Sequence, residues 1–233
     1  MILLIDLSDV LIHGLYDMDK VVHYRFGEDI AKRFRERHDN PECWDKLQEL
    51  CRGKITEEEY WKFFIGDEWW PEYVTPNIFK FALEENLKKC VAGTADVLRS
   101  IRGYTSNGRV VNSIPMMVLV SDNIREHIPF IMKEHAGIMS LFDFTYWSCD
   151  LGMVKKDEGF FTHIMELLDA SPSEAILIDD YQVNLDAARK AGIKDTILFQ
   201  NAETLRTDLE SLGFVLATSS NSNENINLRA AMA

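Results

Sequence analysis

The sequence predicts a doubly wound α/β fold built on a parallel sheet, with an all-helical segment inserted after its first strand. Three observations carry this prediction. Two short apolar runs, MILLIDLSDVLI at the start and AILIDD at 175–180, stop on aspartates, as buried parallel strands do when their carboxyl ends open on a crevice. From about residue 91 onward, strand-like and helix-like stretches alternate, which is the pattern of a parallel sheet covered by helices. Between them, residues 29–90 carry apolar side chains at three- and four-residue spacing, the period of an amphipathic helix.

In chain order, residues 1–12 read as the first strand. FGEDIAKRFRERH, WDKLQELCRG, TEEEYWKFFIG and NIFKFALEENLKKC then read as helices. Thr56 followed by Glu59 is a capping-box start, and Gly53 and Gly66 stand where helices should stop. GTADVLRSIRG predicts a helix, PMMVLVSDN a strand and NIREHIPFIMKEHAG a helix. FDFTYWS predicts a short strand, EGFFTHIMELLDA a helix, AILIDD a strand, LDAARKAGI a helix and DTILFQ a strand. The polar stretch GYTSNGRVVNSIP at 103–115 reads as a surface insertion. Residues 217–233, rich in Ser and Asn, read as a disordered tail. The expected division is a core over 1–12 and 91–216 and a helical module over 13–90. That module leaves from the edge where the strand ends lie, so it is placed to roof a site there.

Composition narrows the function. The 233 residues are 46% hydrophobic, enough for a substantial core, and the formal net charge is −13. Such a surface repels nucleic acid and anionic membranes. Four cysteines without paired spacing fit reduced thiols in a cytoplasmic protein. The N-terminus lacks a basic n-region, and Asp6 interrupts its apolar run, so a signal peptide is not expected. No apolar segment approaches the ~18 residues of a membrane span. The sequence is equally compatible with a monomer and a homodimer.

The candidate chemistry gathers at strand ends. Asp6, Asp179 and Asp180 would repel one another at one crevice unless a cation held them, and an all-oxygen site suits Mg²⁺. Taken singly, each aspartate could equally cap a following helix. Ser121 ends another strand, where a hydroxyl and the amides after it can hold a phosphate oxygen; alone it is as well read as a cap. Lys155 or its neighbour Lys156 could neutralise the carboxylates or ground phosphoryl charge, and either could be a solvated surface charge. Trp44, Tyr60, Trp61, Phe63, Phe64, Trp69, Trp70 and Tyr73 read mostly as the core of the helical module, with the Trp69-Trp70 pair an alternative pocket lining.

The order of these parts resembles the haloacid dehalogenase-like (HAD) hydrolase superfamily over roughly residues 1–215. The first motif, D-x-D-x-[TV], stands here as Asp6-Leu7-Ser8-Asp9-Val10. Ser121 in LVSDN resembles the second, Gly152-Met153-Val154-Lys155 the third with Lys156 in place of Pro, and ILIDD with Asn184 the fourth. The helical residues 13–90 resemble the cap of the haloacid dehalogenase-type subfamily. The resemblance implies a Rossmann-like core and a Mg²⁺-dependent phosphatase for a small phosphorylated metabolite, working through an aspartyl-phosphate intermediate. It implies Asp6 as nucleophile and ligand, Ser121 and Lys155 holding the phosphoryl group, and Asp122 and Asn123 binding substrate beside them. Metal ligands would be Asp6, the Ser8 carbonyl, Asp179 and Asp180, with Asp180 the more direct of the last two. Ser8 is the departure. The family's second Asp moves a proton to the leaving group and from the hydrolytic water, and serine has no pKa suited to either. His13 is one candidate stand-in; Asp9, one residue further on, should point the opposite way on an extended strand. Dehalogenases of the family also lack the second Asp but use no metal, and ILIDD argues for metal. The remaining alternative is a non-catalytic relative that binds phosphate ligands or regulates.

Overall fold

The computed structural model describes residues 1–14, 18–66, 70–106 and 108–217. A five-stranded parallel sheet is formed by β1 (Ile2–Ile5), β4 (Met116–Ser121), β5 (Phe144–Trp147), β6 (Ala175–Asp179) and β7 (Asp195–Leu198), in the order β5-β4-β1-β6-β7. Its chain direction is parallel throughout: Ile5 lies opposite Leu119 on one side and Ile178 on the other. Every residue of β1 and β6 is buried. Their unbroken apolar runs follow from this, because alternate side chains feed two layers. Ile2 and Leu4 pack with Leu177, Phe160 and Leu185 on one face, while Leu3 and Ile5 pack with Ile176, Ile178 and Leu205 on the other.

The helices of the core are α6 (Thr94–Ser100), α7 (Ile128–Glu134), α8 (Ala136–Met139), α9 (Ser148–Leu151), α10 (Phe160–Leu167), α11 (Gln182–Lys190) and α12 (Ala202–Ser211). Five more lie between β1 and α6: α1 (Met18–Phe26), α2 (Glu28–His38), α3 (Pro41–Cys51), α4 (Glu57–Ile65) and α5 (Pro76–Leu87). The Thr56–Glu59 capping box starts α4 as expected, and Asn40 caps α3 through the amide of Glu42. An aromatic cluster of Phe34, Trp61, Phe64 and Phe79, with ring centroids 5.2–5.5 Å apart, fills the interior of this helical segment.

The chain enters and leaves the segment side by side. Ile12 bridges Cys90, the His13 amide donates to Lys89, and the Val91 amide donates to Leu11. The segment is also tied to the core further out. Arg52 makes two bonds to Asp157 (2.5 and 2.8 Å), the Ser148 hydroxyl donates to the Cys51 carbonyl (2.6 Å), and buried Glu57 meets the buried His127 ring at 2.7 Å. Gly53, at φ +67°, permits this approach: a Cβ there would stand 2.6 Å from the Cys149 carbonyl oxygen.

Several expectations are corrected. The first strand ends at Ile5, and residues 7–12 form a compact turn in which the Leu11 and Ile12 amides both donate to Leu7. The stretch 103–115 is no simple loop. β2 (Ile101–Ser106) and β3 (Arg109–Val111) form a hairpin, and β8 (Phe214–Leu216) completes a separate antiparallel sheet of order β3-β2-β8. Helices α1 and α12 were not foreseen. Tyr73 is exposed rather than core. The expected tail, apart from Ala217, and Trp69 lie outside the described residues.

Candidate active site

The site lies at the carboxyl ends of β1, β4 and β6. Pairing of β1 with β6 sets Asp6 level with Asp179, and the Asp6 amide donates to the Ile178 carbonyl (2.9 Å). The two strand-end carboxylates foreseen from sequence therefore converge. Asp6, Asp179 and Asp180 each place an oxygen within 4.8 Å of the others. Lys155, 2% exposed, lies among them, with Nζ 2.8 Å from Asp6 Oδ2 and 2.6 Å from Asp179 Oδ2. The pair left open by the sequence is thus resolved. Lys155 points inward, and its own amide is held by the Asp122 carboxylate (3.0 Å). Lys156 lies at the cleft with its ammonium 5.7 Å from the centre of the Trp44 ring.

Asp179 is fully engaged. Its Oδ2 meets Lys155, while its Oδ1 accepts from the Tyr181 amide (2.9 Å) and from Asn184 Nδ2 (3.0 Å). Among the described residues the Asp180 carboxylate has no comparable set of hydrogen bonds, and it lines the cleft itself, so it is the freer of the two to face a cation. Ser121 is completely buried, and its hydroxyl has no hydrogen-bond partner among the described residues. A buried hydroxyl without a partner costs on the order of 1–3 kcal/mol, which an incoming oxygen acceptor would recover. Asn123 is committed elsewhere. Its side-chain oxygen accepts from the Ile124 amide (2.9 Å), its amide donates to Ser148, and it is not among the residues lining the cleft.

An open cleft extends from these carboxylates to the helical segment. Core residues Asp6, Ser8, Asp9, Asp122, Lys155, Lys156 and Asp180 line it, faced from α2 and α3 by His38, Trp44, Leu47, Gln48 and Cys51. Sequence reasoning assigned these five to packing or not at all; only the placement of the segment over the strand ends identifies them. Trp70, offered as a pocket lining, packs edge-on to Phe79 instead (centroids 5.6 Å). Asp9 does reach the cleft, because its backbone turns to φ +57° and leaves the extended geometry assumed for it. Its Oδ1 accepts from the Gly14 amide (3.1 Å). His13 lies 3.9 Å from that carboxylate and does not line the cleft.

Electrostatics follow from crowding. Burial pushes the Asp6 carboxyl well above the ordinary range; Lys155 opposes this, and Asp179 and Asp180 reinforce it. Burial, then the charge of Asp179, raises Asp180 to about 6. Burial raises Asp122 to about 6 against the attraction of Lys155. For Lys155, burial alone favours loss of the proton, but Asp179, Asp6 and Asp122 outweigh it and hold the ammonium charged. The site therefore carries more carboxylate than its buried cation can balance.

The family model for haloacid dehalogenase-like hydrolases matches residues 1–192. A stretch of 71 residues is 35% identical to bifunctional epoxide hydrolase 2 of Mus musculus, covering 30% of this chain and 13% of that protein. Among solved structures, a HAD family enzyme of Bacteroides thetaiotaomicron in complex with magnesium and inorganic phosphate superposes with a TM-score of 0.62 at 21% identity, covering 86% of this chain and 94% of the other. L-2-haloacid dehalogenase of Xanthobacter autotrophicus superposes at 0.57 and 12% identity, covering 93% and 84%. At these identities the structural likenesses speak for the fold.

Proposed function

The chain belongs to the haloacid dehalogenase-like hydrolase family, and from that membership we propose that it is a Mg²⁺-dependent phosphomonoester hydrolase for a small phosphorylated metabolite. The helical residues 13–90 serve as its cap. The observation that carries the reading is the unpartnered, buried Ser121 hydroxyl at the strand end neighbouring a lysine-bridged carboxylate cluster. That combination offers a donor to a phosphoryl oxygen, a cation to its charge and a carboxylate to its phosphorus.

The residues fit the metal. Oxygen donors only, with Asp6 and Asp180 the two carboxylates we assign and Asp180 the freer of them, match the hard-cation preference of Mg²⁺, and the Ser8 carbonyl is the third protein donor we assign. When bound, Mg²⁺ would offset carboxylate and phosphate charge. Asp6 is the nucleophile and becomes the aspartyl phosphate. Lys155 keeps its proton and grounds the transferring phosphoryl group together with Ser121. Asp179, held by Lys155, Tyr181 and Asn184, fixes the lysine in place. The helical segment covers the cleft and limits water entry.

The test is hydrolysis of p-nitrophenyl phosphate, whose leaving group needs no proton, with Mg²⁺ and with EDTA. Mg²⁺-dependent turnover that Asp6→Asn abolishes is the expected result. Phosphate binding without turnover would favour the second reading, a non-catalytic phosphate binder, which Ser8 motivates because it brings no acid to the position beside the nucleophile.

A further inference from the structure

Breaking a phosphomonoester of an ordinary alcohol requires a proton for the departing alkoxide, and the cleft must contain its donor. Ser8 cannot serve near neutrality. Lys155 is bridged between two carboxylates and is needed charged. Asp6 and Asp180 belong to the cluster that faces a cation, and Asp179 is consumed by three donors. Asp9 has one oxygen bound to the Gly14 amide and a histidine 3.9 Å away, so its carboxyl is held within its own turn.

Asp122 differs from all of these. It directly follows the orphan hydroxyl of Ser121, lines the cleft and stands outside the carboxylate cluster. Its neighbours show where it points. On the core side are Lys155, whose amide donates to it, and the charges of Asp179 and Asp157. On the helical side its charge is felt at Cys51 and Arg52 of the α3 end, and Cys51 lines the same cleft. Asp122 thus bridges the phosphoryl-holding groups and the wall of the helical segment, where an alcohol portion would lie. An ionised carboxylate there would repel a phosphate ester; a protonated one would donate to it. Burial already favours the protonated form, and an arriving phosphate dianion favours it further.

Resting on the phosphomonoesterase reading, we propose that Asp122 is the proton carrier of this site. Asp6 attacks phosphorus, the P–O bond to the alcohol breaks, and the Asp122 proton passes to the leaving oxygen. The Asp122 carboxylate then takes a proton from the water that attacks the phosphoaspartate. This releases inorganic phosphate and returns Asp6 as carboxylate and Asp122 as acid.

The experiment compares Asp122→Asn with the wild type on p-nitrophenyl phosphate and on a simple alkyl phosphate, both with Mg²⁺, across pH. The variant should lose ~10²-fold or more on the alkyl ester, far less on the aryl ester. It should also lose the limb of the alkyl pH–rate profile that follows Asp122. Independently of turnover, infrared difference spectra of the wild type should show a carboxyl that titrates near pH 6 and is absent from the variant. Equal losses on the two esters would overturn the assignment, as would a leaving-group dependence that appears in Asp9→Asn instead. Wild-type turnover of the aryl ester shows that the underlying reading stands when only the assignment fails; with no turnover of either ester, both fall.

Discussion

Asp122→Asn also isolates the stability cost of an ionised carboxyl at the cleft wall. Burial raises the Asp122 pKa from 3.8 to about 6. The folded protein then binds this proton more tightly than the unfolded chain, so the stability contribution is fully present below the unfolded pKa and is lost as pH rises through the folded value. At about 1.4 kcal/mol per pKa unit, complete ionisation costs about 3 kcal/mol. That figure is a ceiling, since Asp122 is half-buried and cleft water screens it. About two-thirds of it falls between pH 4.5 and pH 8. Asparagine preserves the shape and an oxygen for the Lys155 amide but carries no charge. The stability of the variant relative to wild type should therefore grow by up to about 2 kcal/mol from pH 4.5 to pH 8. At the high-pH end this is a melting-temperature gain of at most roughly 4–8 °C for a chain of this size. The assay is thermal and urea unfolding in EDTA at both pH values. A variant-to-wild-type difference that stays constant with pH would refute the account of Asp122 as a strained, proton-hungry carboxyl.

Two other substitutions probe the floor of the site. Asp180→Ala should lower Mg²⁺ affinity at least tenfold by titration calorimetry, and unchanged affinity would mean that the cation sits elsewhere. Ser8→Asp adds a carboxyl beside the nucleophile; in the Asp122→Asn background it should restore alkyl phosphate turnover by ~10²-fold, with little gain in the wild type, whose acid is already in place. The Ser8 side chain abuts Gly14, where a Cβ would come within 2.9 Å of the Ser8 Cβ, so Mg²⁺ affinity must be measured alongside to separate chemistry from crowding.

The central sheet was legible because its strands are buried on both faces. An unbroken run such as ILLI or AILID has few other folded uses, and the aspartate after each run marks the end that opens on the crevice. The small antiparallel sheet was not legible. Arg109–Val111 is three residues long with an exposed start, and β8, which pairs with β2, lies about a hundred residues further on. Such strands exist through tertiary pairing rather than local pattern. The carboxylates and Ser121 could be named from strand ends and a lysine from its place before a helix, each with a capping or surface reading open until the family resemblance joined them. Which lysine turns inward could not, because it depends on the left-handed Gly152 and on the Asp122 bond to the Lys155 amide. The helical wall of the cleft was invisible for a similar reason. Trp44 and Gln48 lie on a helix whose amphipathic pattern describes its own packing, whereas their exposure to the cleft depends on where the Arg52–Asp157 and Cys51–Ser148 ties set the whole segment.

The surplus of carboxyls over cations gives the site a means of sorting its acids. With Lys155 as the buried cation, Asp6, Asp122 and Asp180 all have raised pKa values, so each takes up a proton more readily than a free carboxyl. A divalent cation at the Asp6–Asp180 cluster would release the protons there, because an ionised oxygen is the better ligand. Asp122 lies outside that cluster and would not ligate the cation, so the effect on it is smaller. The same event that makes Asp6 an ionised nucleophile therefore leaves Asp122 to keep its proton beside an incoming phosphate. Two environments push similar carboxyls toward opposite protonation states, the general condition for assigning one as base or nucleophile and the other as acid. On this account Ser8 is compatible with turnover, because the acid that the position lacks can be supplied from the end of the neighbouring strand.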